Sequence, residues 1–192
     1  PYAVEEMEKY KIPASITLAQ GLLETGGGQS RLAQQGKNHF GIKCKEDWTG
    51  KTMKHTDDAP NECFRVYDDP KQSYEDHSIF LATRKYYVGL FKLDAKDYKA
   101  WAHGLKKAGY ATNPRYAHIL IDKIERYKLY EFDNTSKDEV YYAILKMYPA
   151  LNNDAVFMAQ LSQEKQNDKV APPTIKVDYT QGSYAKQQSQ VS

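Results

Sequence analysis

The sequence lacks long hydrophobic runs and a strong charge imbalance, and each absence excludes a class of protein. No stretch of its 192 residues approaches the roughly 18 consecutive apolar residues that a membrane-spanning helix needs. Its 27 Lys and Arg residues are nearly balanced by 25 Asp and Glu residues, whereas a protein that binds nucleic acid through its phosphates carries a basic excess. The sequence therefore predicts no membrane span in this chain and no nucleic-acid partner.

Metal and cofactor motifs are missing as well. The five histidines show no zinc-like spacing, and two cysteines are too few to hold a structural metal alone. No glycine-rich phosphate-binding loop is present, so we expect neither a metal nor a cofactor. Tyrosine is abundant instead, at 16 residues against 6 Phe and 2 Trp, which suits a sugar-binding cleft but also ordinary half-buried helix faces.

Helical periodicity dominates the first two thirds of the chain. Apolar residues recur at helical spacing within 2–11, 14–24, 73–105 and 114–129. Residues 38–67 instead carry short β-favouring runs separated by turn signals, which is typical of an antiparallel hairpin. We therefore predict a mainly α domain over residues 1–133 with a small antiparallel β-hairpin lobe.

The remainder of the chain is expected to be peripheral. Residues 134–161 carry an apolar stripe at helical spacing, which predicts a helical extension. Residues 162–192 are rich in Gln, Ser and Lys and contain Pro172–Pro173. We expect this polar tail to pack poorly, because few apolar groups are present to offset the entropy of the chain.

Cys44 and Cys63 lie in two short β-like runs that flank a turn-rich segment. Pairing of the two strands would bring their sulfur atoms together, and we expect a disulfide, with two buried free thiols as the alternative. A disulfide indicates an oxidising compartment. No signal peptide is visible and the sequence opens within a helical pattern, so we expect its first residue to be a processing or cloning boundary.

Glu24 is a candidate catalytic acid. It ends the predicted helix 14–24 on the side opposite the apolar stripe, and Gly21, one turn earlier, leaves that side open to a ligand. The three glycines at 26–28 would let another segment approach closely. Hydrolysis of a glycosidic bond needs a carboxylic acid to protonate the leaving oxygen, and burial in a cleft would raise the pKa of Glu24. A solvated glutamate at a helix end is the alternative.

Four blocks of sequence follow one another along the chain: Pro13–Gly26, Asn38–Lys43, Cys63–Tyr67 and Ala108–Ala117. In this order they resemble the bacterial N-acetylglucosaminidase family of peptidoglycan hydrolases, which includes the glycosidase domain of flagellar rod-cap hydrolases and many autolysins. The resemblance covers roughly residues 2–130. It implies a lysozyme-like α fold with a β-hairpin lobe, and cleavage of the β-1,4 bond after N-acetylglucosamine in the glycan strand.

The resemblance also implies catalytic roles. It places the general acid on Glu24 and a second acidic residue on the β lobe. Asp57 fits that position best, Asp58 fits nearly as well, and Glu62 is a third option, although the same segment is also a good turn. The acetamido group of the substrate is the alternative to a second carboxylate.

Six further residues are candidates for substrate binding, either on the side of Glu24, in the matching blocks, or as rings that can stack on a sugar: Gln20, Phe40, Trp48, Tyr110, Thr112 and Tyr116. Tyr110 and Tyr116 are expected to wall the cleft, with Tyr110 donating a hydrogen bond and Thr112 helping. Core packing is the alternative for both tyrosines, and a structural plug under the hairpin is the alternative for Phe40.

Three residues depart from the family pattern. Gly27 replaces a bulkier residue, His39 stands where Leu is usual, and Asn113 stands where Asp is usual, which weakens any claim of catalysis there. The cysteine pair is not general to the family.

The sequence therefore predicts an endo-β-N-acetylglucosaminidase of the cell envelope, periplasmic or secreted, whose partner is the peptidoglycan glycan strand. A lytic transglycosylase and a non-catalytic glycan-binding protein are the rivals.

Overall fold

The computed structural model describes residues 1–170, which fall into two compact units. The first unit, Pro1–Met147, is mainly helical with a two-stranded sheet. Its elements are α1 (Tyr2–Tyr10), α2 (Ala14–Thr25), α3 (Arg31–Gln34), β1 (Thr52–His55), β2 (Glu62–Arg65), α4 (Pro70–Thr83), α5 (Tyr98–Lys107), α6 (Tyr116–Arg126) and α7 (Val140–Met147), with 3-10 helices at Val88–Lys92 and Leu129–Asn134. The predicted mainly α fold with one β-hairpin is confirmed.

Helix α2 runs through the core of this unit and is buried on nearly all sides. Ile16 and Ala19 are fully buried, and so are Thr17 and Gln20 on the side opposite the apolar stripe. The expectation that this opposite side is open to a ligand is therefore wrong, since α1, α5 and α6 all pack against the helix. Glu24, in the last turn, is the one residue of α2 whose side chain is exposed.

Both ends of α2 are fixed by specific contacts. At the N-terminal end, Asp133 accepts hydrogen bonds from the backbone N–H of Ser15 (2.8 Å) and from its hydroxyl (2.6 Å). This pairing satisfies an amide of the first turn that has no partner within the helix. At the other end Gly26 adopts a left-handed conformation with φ 55°, which is the usual way in which a helix ends. Glu24 therefore stands at a well-defined point.

The hairpin lobe is held together by backbone pairing and a covalent bond. Strands β1 and β2 are antiparallel, with Thr52 opposite Arg65. A disulfide joins Cys44 to Cys63, whose Cα atoms are 5.5 Å apart, so the predicted pairing is confirmed. An isolated two-stranded hairpin is only marginally stable in water, and the disulfide supplies a cross-link that the short sheet needs.

The second unit begins at Tyr148 and contains a 3-10 helix, Pro149–Asn153, and helix α8, Ala155–Val170. Helix α8 continues beyond residue 161, where the polar tail was expected to start, and residues 162–167 are exposed. The rest of that tail, with Pro172–Pro173, lies outside the described residues. Helix α7, expected within the extension, belongs to the first unit. Within residues 1–170, no helix has both the length and the apolar character needed to cross a bilayer.

Candidate active site

A groove of about 440 Å³ is lined by both the hairpin lobe and the helices of the first unit. The end of α2 contributes Glu24, and the loop after α3 contributes Phe40 and Gly41. The turn between β1 and β2 contributes Asp57 and Asp58. Further lining residues on the helical side are Asp76, His77, Phe80, Arg84, Tyr87 and Tyr110.

Glu24 is accessible from the groove, and its surroundings favour the protonated carboxyl. The walls of the groove displace part of its water and raise its pKa, and the charges of Asp57 and Asp58 raise the pKa further. Gly41 has φ +61°, and a Cβ atom there would lie 3.6 Å from Glu24 Oε2. The loop can therefore pass close to the carboxyl only because glycine adopts this conformation without strain. This environment suits a proton donor.

The three acidic candidates of the hairpin differ in their surroundings. Lys43 Nζ lies 2.6 Å from Glu62 Oε2 and 4.0 Å from Asp58 Oδ2. The backbone N–H of Ala59 donates to Glu62 Oε1 at 2.8 Å, and these hydrogen bonds lower the pKa of Glu62. Both oxygens of Glu62 are thus used within the turn, whereas Asp57 and Asp58 are exposed and line the groove.

Within residues 1–170, no group of three or more His, Cys, Asp or Glu is arranged to hold a metal ion.

One turn before Glu24, a set of buried polar side chains joins α2, α4 and α6. The amide Nε2 of Gln20 donates to the hydroxyl of Tyr116 at 3.0 Å, and its Oε1 lies 2.8 Å from His77 Nε2. Because an amide oxygen can only accept, His77 donates through Nε2–H. Burial lowers the pKa of His77 to about 3, so the imidazole is neutral at physiological pH.

This polar set supports two aromatic rings of the groove. The ring of His77 stacks on Phe40, with centroids 4.1 Å apart and planes at 19°. The ring of Tyr116 stacks on Tyr110, with centroids 5.7 Å apart and planes at 20°. Phe40 and Tyr110 both line the groove. Gln20 therefore connects the two rings without reaching the groove itself.

Two of the predicted substrate-binding residues lie inside the protein. Gln20 is 0% exposed and Tyr116 is 3% exposed, so the prediction that they contact a sugar is wrong for both. Phe40 is 6% exposed and lines the groove, where its ring packs against Tyr74 and His77 of α4, so it stays a candidate for substrate contact. Tyr110 is half-buried and lines the groove, and it stays a candidate.

Trp48 and Thr112 are not among the residues that line the groove. The indole of Trp48 packs 5.5 Å from the ring of Tyr67 and 4.8 Å from the guanidinium of Arg65. Its Nε1–H donates to the carbonyl of Lys51 at 2.9 Å. Thr112 is exposed and does not line the groove. The prediction of substrate contact gains no support from the lining of the groove for either residue, and it stays a prediction.

The glycines near Glu24 act differently from the prediction. Gly21 is buried, and a Cβ atom there would lie 3.5 Å from the ring of Phe40, so its small size accommodates that ring and not a ligand. The glycines at 26–28 have φ values of 55°, 73° and 88°, with no atom within 4 Å of a Cβ built on any of them. They provide a left-handed turn after the helix, and no segment approaches them closely.

Sequence reasoning missed two residues that shape the groove. The Asn38 Nδ2 donates to the carbonyls of Ile42 (2.9 Å) and Arg65 (3.0 Å), and its Oδ1 accepts from the N–H of Ile42 (3.0 Å). Asp76 Oδ2 accepts from Arg65 Nη1 (3.1 Å) and from the hydroxyl of Tyr67 (2.7 Å). Asn38 opens one of the four recognised blocks, which is a usable signal, but Asp76 has no comparable signal.

Comparison with known proteins finds relatives of the first unit. Residues 1–129 match the family described as mannosyl-glycoprotein endo-beta-N-acetylglucosaminidase. Over 139 residues the chain is 34% identical to the exo-glucosaminidase LytG of Bacillus subtilis, covering 67% of this chain and 49% of LytG. Over 139 residues it is 30% identical to the peptidoglycan hydrolase FlgJ of Vibrio cholerae, covering 67% of this chain and 40% of FlgJ. The chain thus spans less than half the length of either relative.

Solved structures show the same architecture. The glycoside hydrolase domain of Salmonella typhimurium FlgJ superposes with a TM-score of 0.58 at 28% identity, covering 76% of this chain and 91% of that domain. A peptidoglycan hydrolase from Sphingomonas sp. A1 superposes with a TM-score of 0.59 at 31% identity, covering 69% of this chain and 86% of that one. The groove described above therefore lies in the part of the chain that these structures share.

Proposed function

This chain belongs to the glucosaminidase family, and on that premise we propose that it hydrolyses peptidoglycan at the β-1,4 bond after N-acetylglucosamine, with Glu24 as general acid. The observation that carries the proposal is the exposure of Glu24, which sets it apart from the other residues of α2. It is the one exposed residue of an otherwise buried helix, and it opens onto the groove with a raised pKa.

The chemistry requires a proton at the leaving oxygen. As the bond between the anomeric carbon and the bridging oxygen breaks, its electron pair stays on that oxygen, which takes the proton of the Glu24 carboxyl. The positive charge left on the sugar then needs a partner, and water finally adds at the anomeric carbon while one of its protons passes to a carboxylate of the groove, either the assisting group or the ionised Glu24. Asp57 is our first choice for the assisting carboxylate and Asp58 our second, since both line the groove. The acetamido oxygen of the substrate is the alternative.

The decisive variant is Glu24→Gln, which keeps the shape of the side chain and removes its acid. We expect the release of muropeptides from purified sacculi to fall by about two to four powers of ten. Glu46→Gln is the matched control, because Glu46 is exposed on the hairpin lobe and does not line the groove. Wild-type rates in the Glu24→Gln variant would refute the assignment.

Mass spectrometry of the same products tests the type of reaction. Hydrolysis leaves a reducing sugar end, whereas a lytic transglycosylase leaves an anhydro end that is lighter by one water. Endo action, which the sequence predicts, releases fragments of several lengths, and stepwise loss from one end would show exo action instead. Binding of glycan fragments without any product would favour a non-catalytic protein.

Comparing two hairpin variants tests the assisting group. If Asp57 acts as base or charge stabiliser, Asp57→Asn lowers kcat steeply and Asp58→Asn lowers it less. Equal and mild losses would instead favour assistance by the acetamido group.

The disulfide between Cys44 and Cys63 supports an oxidising location, and we propose that the protein acts in the cell envelope, in the periplasm or after secretion.

A further inference from the structure

We infer that Lys45 and Arg84 bind carboxylates on the peptide stems of the substrate, so that the groove selects peptide-bearing peptidoglycan over a neutral glycan. This inference rests on the proposed function, because it names the substrate class of the same groove.

Four cationic side chains line the groove, and two of them are paired within the protein. Arg65 contacts Asp76 at 3.1 Å and Asp47 at 3.5 Å. Lys43 contacts Glu62 at 2.6 Å. The other two are Lys45 and Arg84, both exposed, and neither forms an ion pair with any residue in the described part of the chain. Their charge is available to a ligand.

Arg84 is held in place on the helical side of the groove. It follows the last residue of α4, and its backbone N–H donates to the carbonyl of Phe80 at 3.3 Å. Its guanidinium lies 5.1 Å from the centre of the Phe80 ring, and that ring packs against Tyr87 and Tyr110. A guanidinium carries its N–H donors at the edge of its plane, where they can bind a carboxylate through two parallel hydrogen bonds.

Lys45 is held on the hairpin side. The backbone N–H of its neighbour Cys44 donates to the carbonyl of Cys63 at 3.0 Å, and the disulfide joins the same two residues. Lys45 itself has φ 54°, a left-handed conformation that is unfavourable for a residue with a Cβ atom. The adjacent cross-link and the hydrogen bond from Trp48 N–H to the Lys45 carbonyl (3.4 Å) hold this conformation.

The chemistry of the substrate explains why such cations are useful. A chain of N-acetylglucosamine is uncharged, whereas every second sugar of peptidoglycan carries a peptide with free carboxylates. Glu24, Asp57 and Asp58 line the same groove and repel an anionic ligand whenever they are ionised. Lys45 and Arg84, which line the same groove, offset that repulsion for a peptide-bearing strand and contribute nothing to a neutral one.

The test is the double variant Lys45→Gln/Arg84→Gln, assayed on soluble peptide-bearing glycan fragments and on neutral chitooligosaccharides. For the peptide-bearing fragments we expect KM to rise about tenfold with kcat nearly unchanged, since each exposed ion pair contributes up to about threefold to fivefold. For the chitooligosaccharides we expect no change in KM. The effect shrinks in high salt, because salt screens exposed charges. Lys92→Gln/Lys107→Gln removes the same charge away from the groove and serves as the control.

Three outcomes would overturn the inference. They are an unchanged KM for peptide-bearing fragments, an equal rise for neutral chitooligosaccharides, and an equal rise in the control. Glycan stripped of its peptides by an amidase keeps a carboxylate on the sugar itself. A rise in KM that persists on stripped glycan would therefore overturn the assignment to the peptide.

A binding measurement separates this inference from the proposed function. Calorimetry in a Glu24→Gln background measures the affinity for peptide-bearing fragments without cleavage. If wild type makes no product but binding still depends on Lys45 and Arg84, the proposed function fails and this inference stands. If wild type cleaves and binding is indifferent to both cations, only this inference fails.

Discussion

The two sides of the groove are held by different kinds of interaction. On the helical side, Glu24 lies in the last turn of the core helix α2, whose buried Gln20 has both ends of its amide paired. On the hairpin side, Asp57 and Asp58 lie at the exposed tip of a two-stranded lobe. The proposed proton donor is thus placed by the core, and the proposed assisting carboxylates are placed by a small lobe that carries one covalent cross-link.

This difference indicates which catalytic group must be held rigidly and which can vary in position. General acid catalysis needs the donor within hydrogen-bond reach of one oxygen, and a helix end fixed by packing provides that. A carboxylate that acts through its charge tolerates a longer and more variable distance. Variants that disturb one side of the groove and leave the other in place test this difference.

The largest expected effect comes from Gln20→Leu on the helical side. The change leaves the Tyr116 hydroxyl and His77 Nε2–H unpaired in the core, which lowers the free energy of unfolding by about 4 kcal/mol at about 2 kcal/mol for each group. Phe40 and Tyr110 lose support, so kcat/KM falls as well. Urea unfolding and initial rates below the transition measure the two effects.

Two matched variants make this prediction stricter. Tyr116→Phe unpairs only the Gln20 amide, and about half the loss of stability is expected. Gln34→Leu replaces an exposed glutamine of α3 and should change stability by less than about 0.5 kcal/mol. Equal losses in Gln20→Leu and Gln34→Leu would show that the buried polar set is not what holds the helical side.

The second prediction disturbs the hairpin side through Cys44→Ser/Cys63→Ser. Loss of the disulfide, which spans 19 positions of sequence, removes about 3 kcal/mol from the stability of the lobe in the chain-entropy model. We expect far-UV circular dichroism of the helices to be retained while activity falls. Reduction of wild type by dithiothreitol should reproduce the effect, and full activity of the serine variant would show that strand pairing alone suffices.

Sequence alone predicts what is local on each side. The sequence predicts Glu24 as the acid from a contiguous block with helical spacing, and the structure places this residue on the groove, while its catalytic role stays a prediction. The disulfide was identified because two β-favouring runs flank a turn, and strand pairing then brings Cys44 and Cys63 together. In both cases the relevant partners are near in sequence or follow from a simple hairpin.

Contacts between distant elements could not be predicted in the same way. Gln20 was expected at the surface because periodicity assigns a polar residue to the exposed side, but its partner His77 is 57 residues away. The sequence predicts Trp48 in the cleft because aromatic rings stack on sugars, but its ring packs on Tyr67 and Arg65, which are distant in sequence. Burial of a polar side chain depends on which helix covers it, and one sequence does not show that.

The third prediction concerns the far end of α2. Burial raises the pKa of Asp133 to about 6 from the ordinary 3.8, with the hydrogen bonds from Ser15 opposing that rise. A raised folded-state pKa gives stability that is present below about pH 4 and is lost as the pH rises through about 6. Asp133→Asn should therefore abolish a decline in unfolding free energy of roughly 2–3 kcal/mol between pH 4 and pH 7. Thermal unfolding across this range measures it, and Asp138→Asn, at an exposed position, should keep the decline.

The smallest effect concerns the charge that the hairpin side exerts on the helical side. Asp57 and Asp58 raise the pKa of Glu24, so removing either charge should lower it. In the proposed mechanism the protonated carboxyl is the active form, so activity is lost as the pH rises through this pKa, and the alkaline limb of kcat/KM should move to lower pH. Asp57→Asn should move it more than Asp58→Asn, and Asp68→Asn, which does not line the groove, should leave it in place. A limb that stays fixed in all three variants would mean that burial alone sets the Glu24 pKa, and that the hairpin carboxylates do not act on the acid through their charge.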